Sequence, residues 1–460
     1  MKPSGLFLLA AVSLGLSVAS AASTRPHYGG TLRLSIQEAP ASLDPADPAQ
    51  PGMFAAAGLS RLIFDTLVTL DEHGQAQPAL AISWQAGSGY QRWQFSVRRG
   101  VTFHDGTAVT SDAVAASLRA VNPNWKVFAT GEAVVVECDV PTPQLPAVLA
   151  LPRYGVAKRT GGKLAGSGPF AINRWDPGKK LLLTARDDYW GGRAFVDSIE
   201  IEMGKSFREQ LIALDLGKAD IVEVAPEQAR RAVSDGRRVE SSAPAEWMAL
   251  VFSSDAQSAE DGKLRQALAF SLDRDSMNNV LLQGGGATAA TFLPNWMTGY
   301  AFLFPAAFDL ERARQIRAEI RTPPAWMLSY DASDQLSRVI AERVALNAGD
   351  AGITIQTQTA QAKSSKLADM RLVRMPLPSL DARVALSEFA ASVGLPALKF
   401  EGDPATSLYA AENALLKSQR VIPLLHLKTA TAPGTNVMGW QEDPDGGWHL
   451  TDVWLETGKP

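Results

Sequence analysis

The chain has 460 residues, 46% of them apolar and 20% charged, more than a single hydrophobic core absorbs, so two or three domains are expected. Its 44 basic and 48 acidic residues leave a formal net charge of −4 with no long run of either sign, which offers no footprint for nucleic acid or an anionic membrane and points to a small, roughly neutral ligand. The only cysteine, Cys138, excludes an internal disulfide and a cysteine-rich metal cluster.

In chain order, the first element is an export signal. Lys2 supplies a basic start, Leu6 to Val18 an apolar stretch and Ala19-Ser20-Ala21 a small-residue cleavage site. Residues 1–21 are expected to be removed, giving a mature chain from about Ala22. With no cysteine beside the cleavage site to carry a lipid, the protein is expected free in the periplasm. No later run reaches the ~20 apolar residues of a membrane helix.

In GGTLRLSI, Leu32, Leu34 and Ile36 alternate as on a half-buried strand. The prolines of ASLDPADP break the chain. Leu59, Leu62, Ile63 and Leu67 then fall at helical spacing before a polar turn at Asp71 to Gly74, where His73 is expected on the surface. Trp93, Phe95 and Val97 alternate with polar residues and the pattern resumes at Val101 and Phe103, predicting two short strands joined at Gly100.

Next, His104 and Asp105 stand side by side in a chain with only five histidines. Such a pair serves as a metal site, as a base with its orienting carboxylate, or as a turn. His27, His73, His426 and His449 show no ligand spacing to it, and neighbours on a strand point to opposite faces. Asp105-Gly106 is a turn dipeptide, and Thr110 or Ser111 followed by Asp112 has the chemistry of a helix N-cap. A turn leading into a capped helix is therefore expected.

GSGPFA, at 166–171, fits the outline of a dinucleotide loop, but Pro169 and the alternation after it lead into a strand instead of a helix. That strand and its successor form a hairpin around Asp176-Pro177-Gly178. A strand with Ile199 and Ile201 on one face follows, then a helix carrying Leu211 and Leu214, ended by Gly217, and a strand from Ile221 to Val224. Leu264, Leu268 and Leu272 mark another helix, with Asp275 as the cap of a short one after it. Leu336, Val339, Ile340 and Val344 mark a third, before a strand with Ile353 and Ile355. Residues 357–396 show no clear period. Alternating strands and helices predict an α/β or α+β architecture.

Seven phrases, in order, resemble those of the family 5 extracytoplasmic solute-binding proteins, the oligopeptide-, dipeptide- and nickel-binding components of ATP-driven (ABC) importers. They are GGTLRLSIQEAPASLDP, LIFDTLVTLDEHGQAQPALAISW, WQFSVRRGVTFHDGTAVTSDAV, GSGPFAINRWDPGKKLLLTARDDYWGG, ALDLGKADI, LRQALAFSLDRDSM and AAENALLKSQRVIPLLH. The resemblance implies an α/β, two-lobed periplasmic binding protein fold of type II with an extra subdomain, mixed sheets flanked by helices and a hinge between the lobes. Its layout places lobe I at 22–60, 165–255 and 430–460, the extra subdomain at 61–164 and lobe II at 256–429.

It further implies a monomeric, non-enzymatic protein with no cofactor and no metal, which closes over a peptide-like or other small organic solute and delivers it to an ABC permease at the membrane. Two other readings are a transport-inactive homologue serving as an interaction or sensing partner, and a secreted hydrolase. For the latter no nucleophile, base and oxyanion set can be assembled.

Trp84, Trp93, Trp175 and Trp190 lie in framework phrases and are expected in the core. Trp247 and Trp296 flank segments that line the cleft in the family, which makes them candidates for an aromatic pocket wall. Peptide-binding relatives carry a strand ending in Trp and then an Asp-Tyr pair whose Asp accepts the ligand ammonium group. Here Met375, Pro378 and Ser379 occupy those places, so the anchor is missing. Asp381 is the candidate replacement, and Arg374 the candidate partner of a ligand carboxylate or other anion.

Overall fold

The computed structural model describes residues 25–47, 54–304, 306–360, 368–444 and 446–456; the expected export signal lies outside them. One sheet of 11 strands runs through the molecule. Five of its strands, Phe170–Asp176, Lys180–Ala185, Ser198–Glu202, Thr31–Ser35 and Ile221–Glu223, lie side by side in that order at one end. At the other end lie Met370–Pro376, Trp326–Tyr330 and Ile355–Thr359. Two antiparallel 13-residue strands, Glu240–Phe252 and Val421–Pro433, join the halves. Their pairing slips between Ser241 and Glu246 and again between Met248 and Ala249. Pro244, which has no N–H to donate, sits in the first slip.

The expected alternation organises the first half. Thr31–Ser35 pairs in parallel with Ser198–Glu202, setting Leu32 opposite Ile199 and Leu34 opposite Ile201. All four are buried, each contributing about 2 kcal/mol by leaving water. Helix Phe54–Ile63 packs on this face through Leu59, Leu62 and Ile63. Leu67 is buried as its period suggested, but lies beyond the end of the helix.

A four-stranded antiparallel sheet, in the order Ala81–Ala86, Arg92–Val97, Ala133–Glu137, Lys126–Thr130, forms a separate core with helix Ser111–Val121. Thr110 caps that helix, its hydroxyl accepting from Ala113 N–H. The expected strand through Val101 and Phe103 is instead a tight loop with one bridge, Thr102 to Ala108. Gly106, at φ 81°, reverses the chain there, and Phe103 N–H already donates to Thr107 O at 2.8 Å.

In the other half, helices Ala259–Ser271 and Gln335–Asp350 cover the sheet with the predicted leucines, and Ile340 and Val344 are buried. Asp273, not Asp275, caps the short helix Arg274–Ser276, its carboxylate accepting from Ser276 N–H at 2.9 Å. The segment without a clear period contains strand Met370–Pro376 and helix Ala382–Ser392, with 361–367 outside the described residues.

Candidate functional site

A cavity of about 960 Å³ opens where the four-stranded subdomain, the Thr31–Ser35 half and a loop of the other half meet. Its walls come from the helix end and hairpin at 60–79, from 150–152, from 189–195, from 441–452 and from Pro378-Ser379-Leu380. The last segment is seated closely: a Cβ on Gly74 would lie 2.4 Å from Leu380 O, so only glycine fits that turn. A second contact ties the same parts together. Arg153 donates two bonds, 2.6 and 2.7 Å, to Glu388 on helix Ala382–Ser392, whose Val384 enters the subdomain core.

Two half-buried carboxylates line this cavity and differ in their partners. Asp65 follows helix Phe54–Ile63, where the chain passes into the subdomain. It accepts from Ser167 Oγ at 2.9 Å, Tyr189 OH at 2.8 Å and Trp190 Nε1 at 3.0 Å. Burial raises its pKa, and those three donors oppose the rise. Glu442 sits against the long strand Val421–Pro433, its Oε2 accepting from Thr429 Oγ1 at 3.3 Å. Its Oε1 is closed off from solvent without a hydrogen-bond partner among the described residues. Burial, opposed by Thr431 and Thr429 and reinforced by the nearby Asp443 and Glu223, pushes its pKa up to about 8.

Behind this wall stands a further charged group. Arg374 donates from Nε and Nη2 to Glu246 and from Nη1 to Asp334 at 3.3 Å. Burial works against its charge, yet the two carboxylates hold its pKa up. Glu223, accepting from Gln37 N–H and Gln210 Nε2, has its pKa raised by burial and by Glu246.

None of the four residues singled out in the sequence lines the cavity. Trp247 is 1% exposed, stacked on Phe292 at 4.7 Å between ring centroids and donating to Thr291 O. Its alternation along Glu240–Phe252 turns it into the core. Trp296, 38% exposed, donates to Pro244 O at 3.0 Å outside the cavity. The carboxylates that Arg374 meets belong to the protein itself. Asp381 caps helix Ala382–Ser392, its Oδ1 accepting from Arg383 N–H at 3.0 Å and Val384 N–H at 2.9 Å. The aromatic wall does exist, but Tyr189, Trp190, Phe195 and Trp448 build it. Trp190, expected as core, faces both ways, packing partly on the subdomain.

His104 and Asp105 form the expected turn, which also docks the subdomain. Nδ1 of His104 accepts from Gly166 N–H at 3.3 Å, so Nε2 carries the proton and donates to Gly168 O at 3.2 Å. Burial lowers its pKa to about 4. Lys158 and Thr107 hold Asp105 down to about 2. The glycines of the GSG segment permit close packing: Cβ atoms on Gly166 and Gly168 would fall 1.9 and 2.8 Å from Ile63 O. Strand Phe170–Asp176 follows directly.

Residues 75–375 match the family model described as bacterial extracellular solute-binding proteins, family 5 Middle. The chain belongs to this family. Family 5 proteins bind substrates outside the cytoplasm and are not enzymes, and the present chain has their two-lobed fold. The solved periplasmic binding protein DppA of Helicobacter pylori, in complex with the peptide STSA, superposes with a TM-score of 0.78 at 17% identity, over 94% of this chain and 99% of that one. The uncharacterized protein YhjP of Bacillus subtilis is 33% identical over 226 residues, 45% of this chain and 37% of the relative. The probable D,D-dipeptide-binding periplasmic protein DdpA of Escherichia coli is 25% identical over 250 residues, 48% of each chain. These matches thus span half of the curated relatives' length or less.

Pro378 and Ser379 stand where the resemblance places the ammonium-accepting Asp and its Tyr, and they line the cavity. Glu442 and Asp65 were not found from the sequence. Glu442 lies in GWQEDPDGGW, whose glycines, proline and acids have the composition of a surface loop. Asp65, an acid directly after the apolar run SRLIF, was the more legible of the two.

Proposed function

We propose that this protein is the substrate-binding component of an ABC importer, which captures a peptide-like or other small organic solute in the 960 Å³ cavity and hands it to a membrane permease. The carrying observation is the position of that cavity: it lies where three separately cored parts converge, and its size suits a solute of a few residues. In this reading lobe I is 22–60, 165–255 and 430–460, carrying the subdomain 61–164, and lobe II is 256–429. The register slips at Ser241–Glu246, in one of the two strands that join the halves, are the natural place for a hinge. Arg153 and Glu388 then act as a clasp of the closed form.

Closure driven by a solute requires differential affinity for the closed form. Small-angle scattering of the purified protein, with copurified solutes identified by mass spectrometry, is expected to show ligand-dependent compaction. The reading fails if neither scattering nor tryptophan fluorescence responds to any copurified or screened solute. The Pro378-Ser379 replacement favours one second reading, a binding protein that no longer serves transport and acts as a sensing or interaction partner. Uptake of the identified solute by cells, lost on deleting the protein, separates the two.

A further inference from the structure

The lining of the cavity is unequal in charge. Asp65, Asp71, Glu72, Glu442, Asp443 and Asp452 contribute carboxylates, against the guanidinium groups of Arg61 and Arg193. Arg193 is already engaged by Asp187 and Asp197, the latter at 2.6 Å. Asp65 has its acceptor sites filled by Ser167, Tyr189 and Trp190. Glu442, which also lines the cavity, does not: its Oε1 is buried without a hydrogen-bond partner among the described residues. The groups acting most on its carboxylate are Asp443, Glu223, Thr429 and Thr431, two carboxylates and two hydroxyls. Ionising a sealed carboxylate among like charges is costly in an empty site, and a ligand donor carrying positive charge offsets that cost.

We infer that the cavity selects a cationic solute, whose ammonium or guanidinium group pairs with the Glu442 carboxylate from the lobe I side, in place of an anchor at Pro378. This rests on the binding-protein reading above and adds the charge class of its ligand. It also replaces the neutral ligand suggested by the overall composition, because the balance of the whole chain averages away a locally acidic cavity. Glu442 holds a proton near neutral pH when no cation is present, since its pKa is about 8. An arriving cation favours the ionised form, so binding releases a proton and tightens as the pH rises toward that value.

The test is calorimetric titration of the full mature protein with trilysine, trialanine, triglutamate and spermidine, near neutral pH, in buffers of differing ionisation enthalpy. Trilysine or spermidine is expected to bind at least about tenfold more tightly than trialanine, with triglutamate weakest and with proton release. Tight binding of trilysine alone identifies a basic peptide and that of spermidine alone a free polyamine, and either supports the inference. E442Q is expected to lose about tenfold in cation affinity together with the proton release, while E442D keeps part of both.

Equal or tighter binding of trialanine or triglutamate overturns the cation preference while leaving the binding-protein reading intact. Unchanged cation affinity and proton release in a folded E442Q overturns the role of Glu442. Absence of response to every solute, these and the copurified ones, overturns the binding-protein reading itself.

Discussion

Asp65 and Glu442 are two half-buried carboxylates on the walls of one cavity, yet they differ in how their oxygens are met. Both oxygens of Asp65 accept from donors of the 167 and 189–190 segments, so it fastens the end of helix Phe54–Ile63 to those segments. Glu442 has one oxygen supported by Thr429 and one without a partner among the described residues. Burial raises the pKa of both. Partner count, not burial or charge, therefore separates a structural acid from one available to a solute.

The largest expected effect breaks the structural side of this comparison. Asp65→Ala strands the Tyr189 hydroxyl, the Trp190 N–H and the Ser167 hydroxyl together and is expected to cost on the order of 4 kcal/mol in urea unfolding. An unchanged midpoint would show that the hub is not structural.

A smaller effect sharpens the ligand side through pH. The folded pKa of Glu442, about 8, lies above its unfolded value. Its contribution to stability is thus full below the unfolded carboxylate pKa, about 4.5, and is lost as the pH rises through about 8. His104 and His426 behave oppositely. Both are lowered to about 4 by burial, so their contribution is present above about 6.5 and is lost as the pH falls through about 4. The melting temperature without ligand is expected to fall on both sides of mildly acidic pH. In E442Q the alkaline fall, on the order of 2 kcal/mol, should vanish while the acid fall stays. An alkaline fall of the same size in E442Q would assign it to another group.

The smallest effect concerns the residue that the sequence suggested as an anchor. Asp381→Ala is expected to cost about 1 kcal/mol as the loss of a helix cap, with the affinity for solute unchanged. A loss of affinity beyond that of stability would return Asp381 to the binding site.

Legibility followed the physical range of each signal. Thr110, Gly106 and the Asp176-Pro177-Gly178 turn act on residues two or three positions away, so they were readable from local chemistry. The stripes Leu32, Leu34, Ile36 and Leu264, Leu268, Leu272 needed only a period. Asp275 was mistaken for Asp273 because two acids spaced by one residue offer the same cap, and only the backbone direction chooses between them. The aromatic character of Trp247 does not say which face of its strand it occupies, nor does that of Trp296 say where its short helix Asn295–Thr298 lies relative to the cavity.

By itself, the amino-acid order determined the elements, their alternation and, through seven ordered phrases, the kinship with family 5 solute-binding proteins. These depend on local conformational preference and apolar period, which neighbouring residues set. The tertiary structure alone decided the cavity and its charge. Glu442 is brought against Thr429 by the return of the chain after the strand Val421–Pro433, and strand pairing sets Glu223 opposite the neighbouring Thr431. His104 is locked between Gly166 and Gly168, some 60 residues onward. Whether a carboxylate is satisfied depends on donors that arrive from distant parts of the chain, and no spacing along the chain records their arrival.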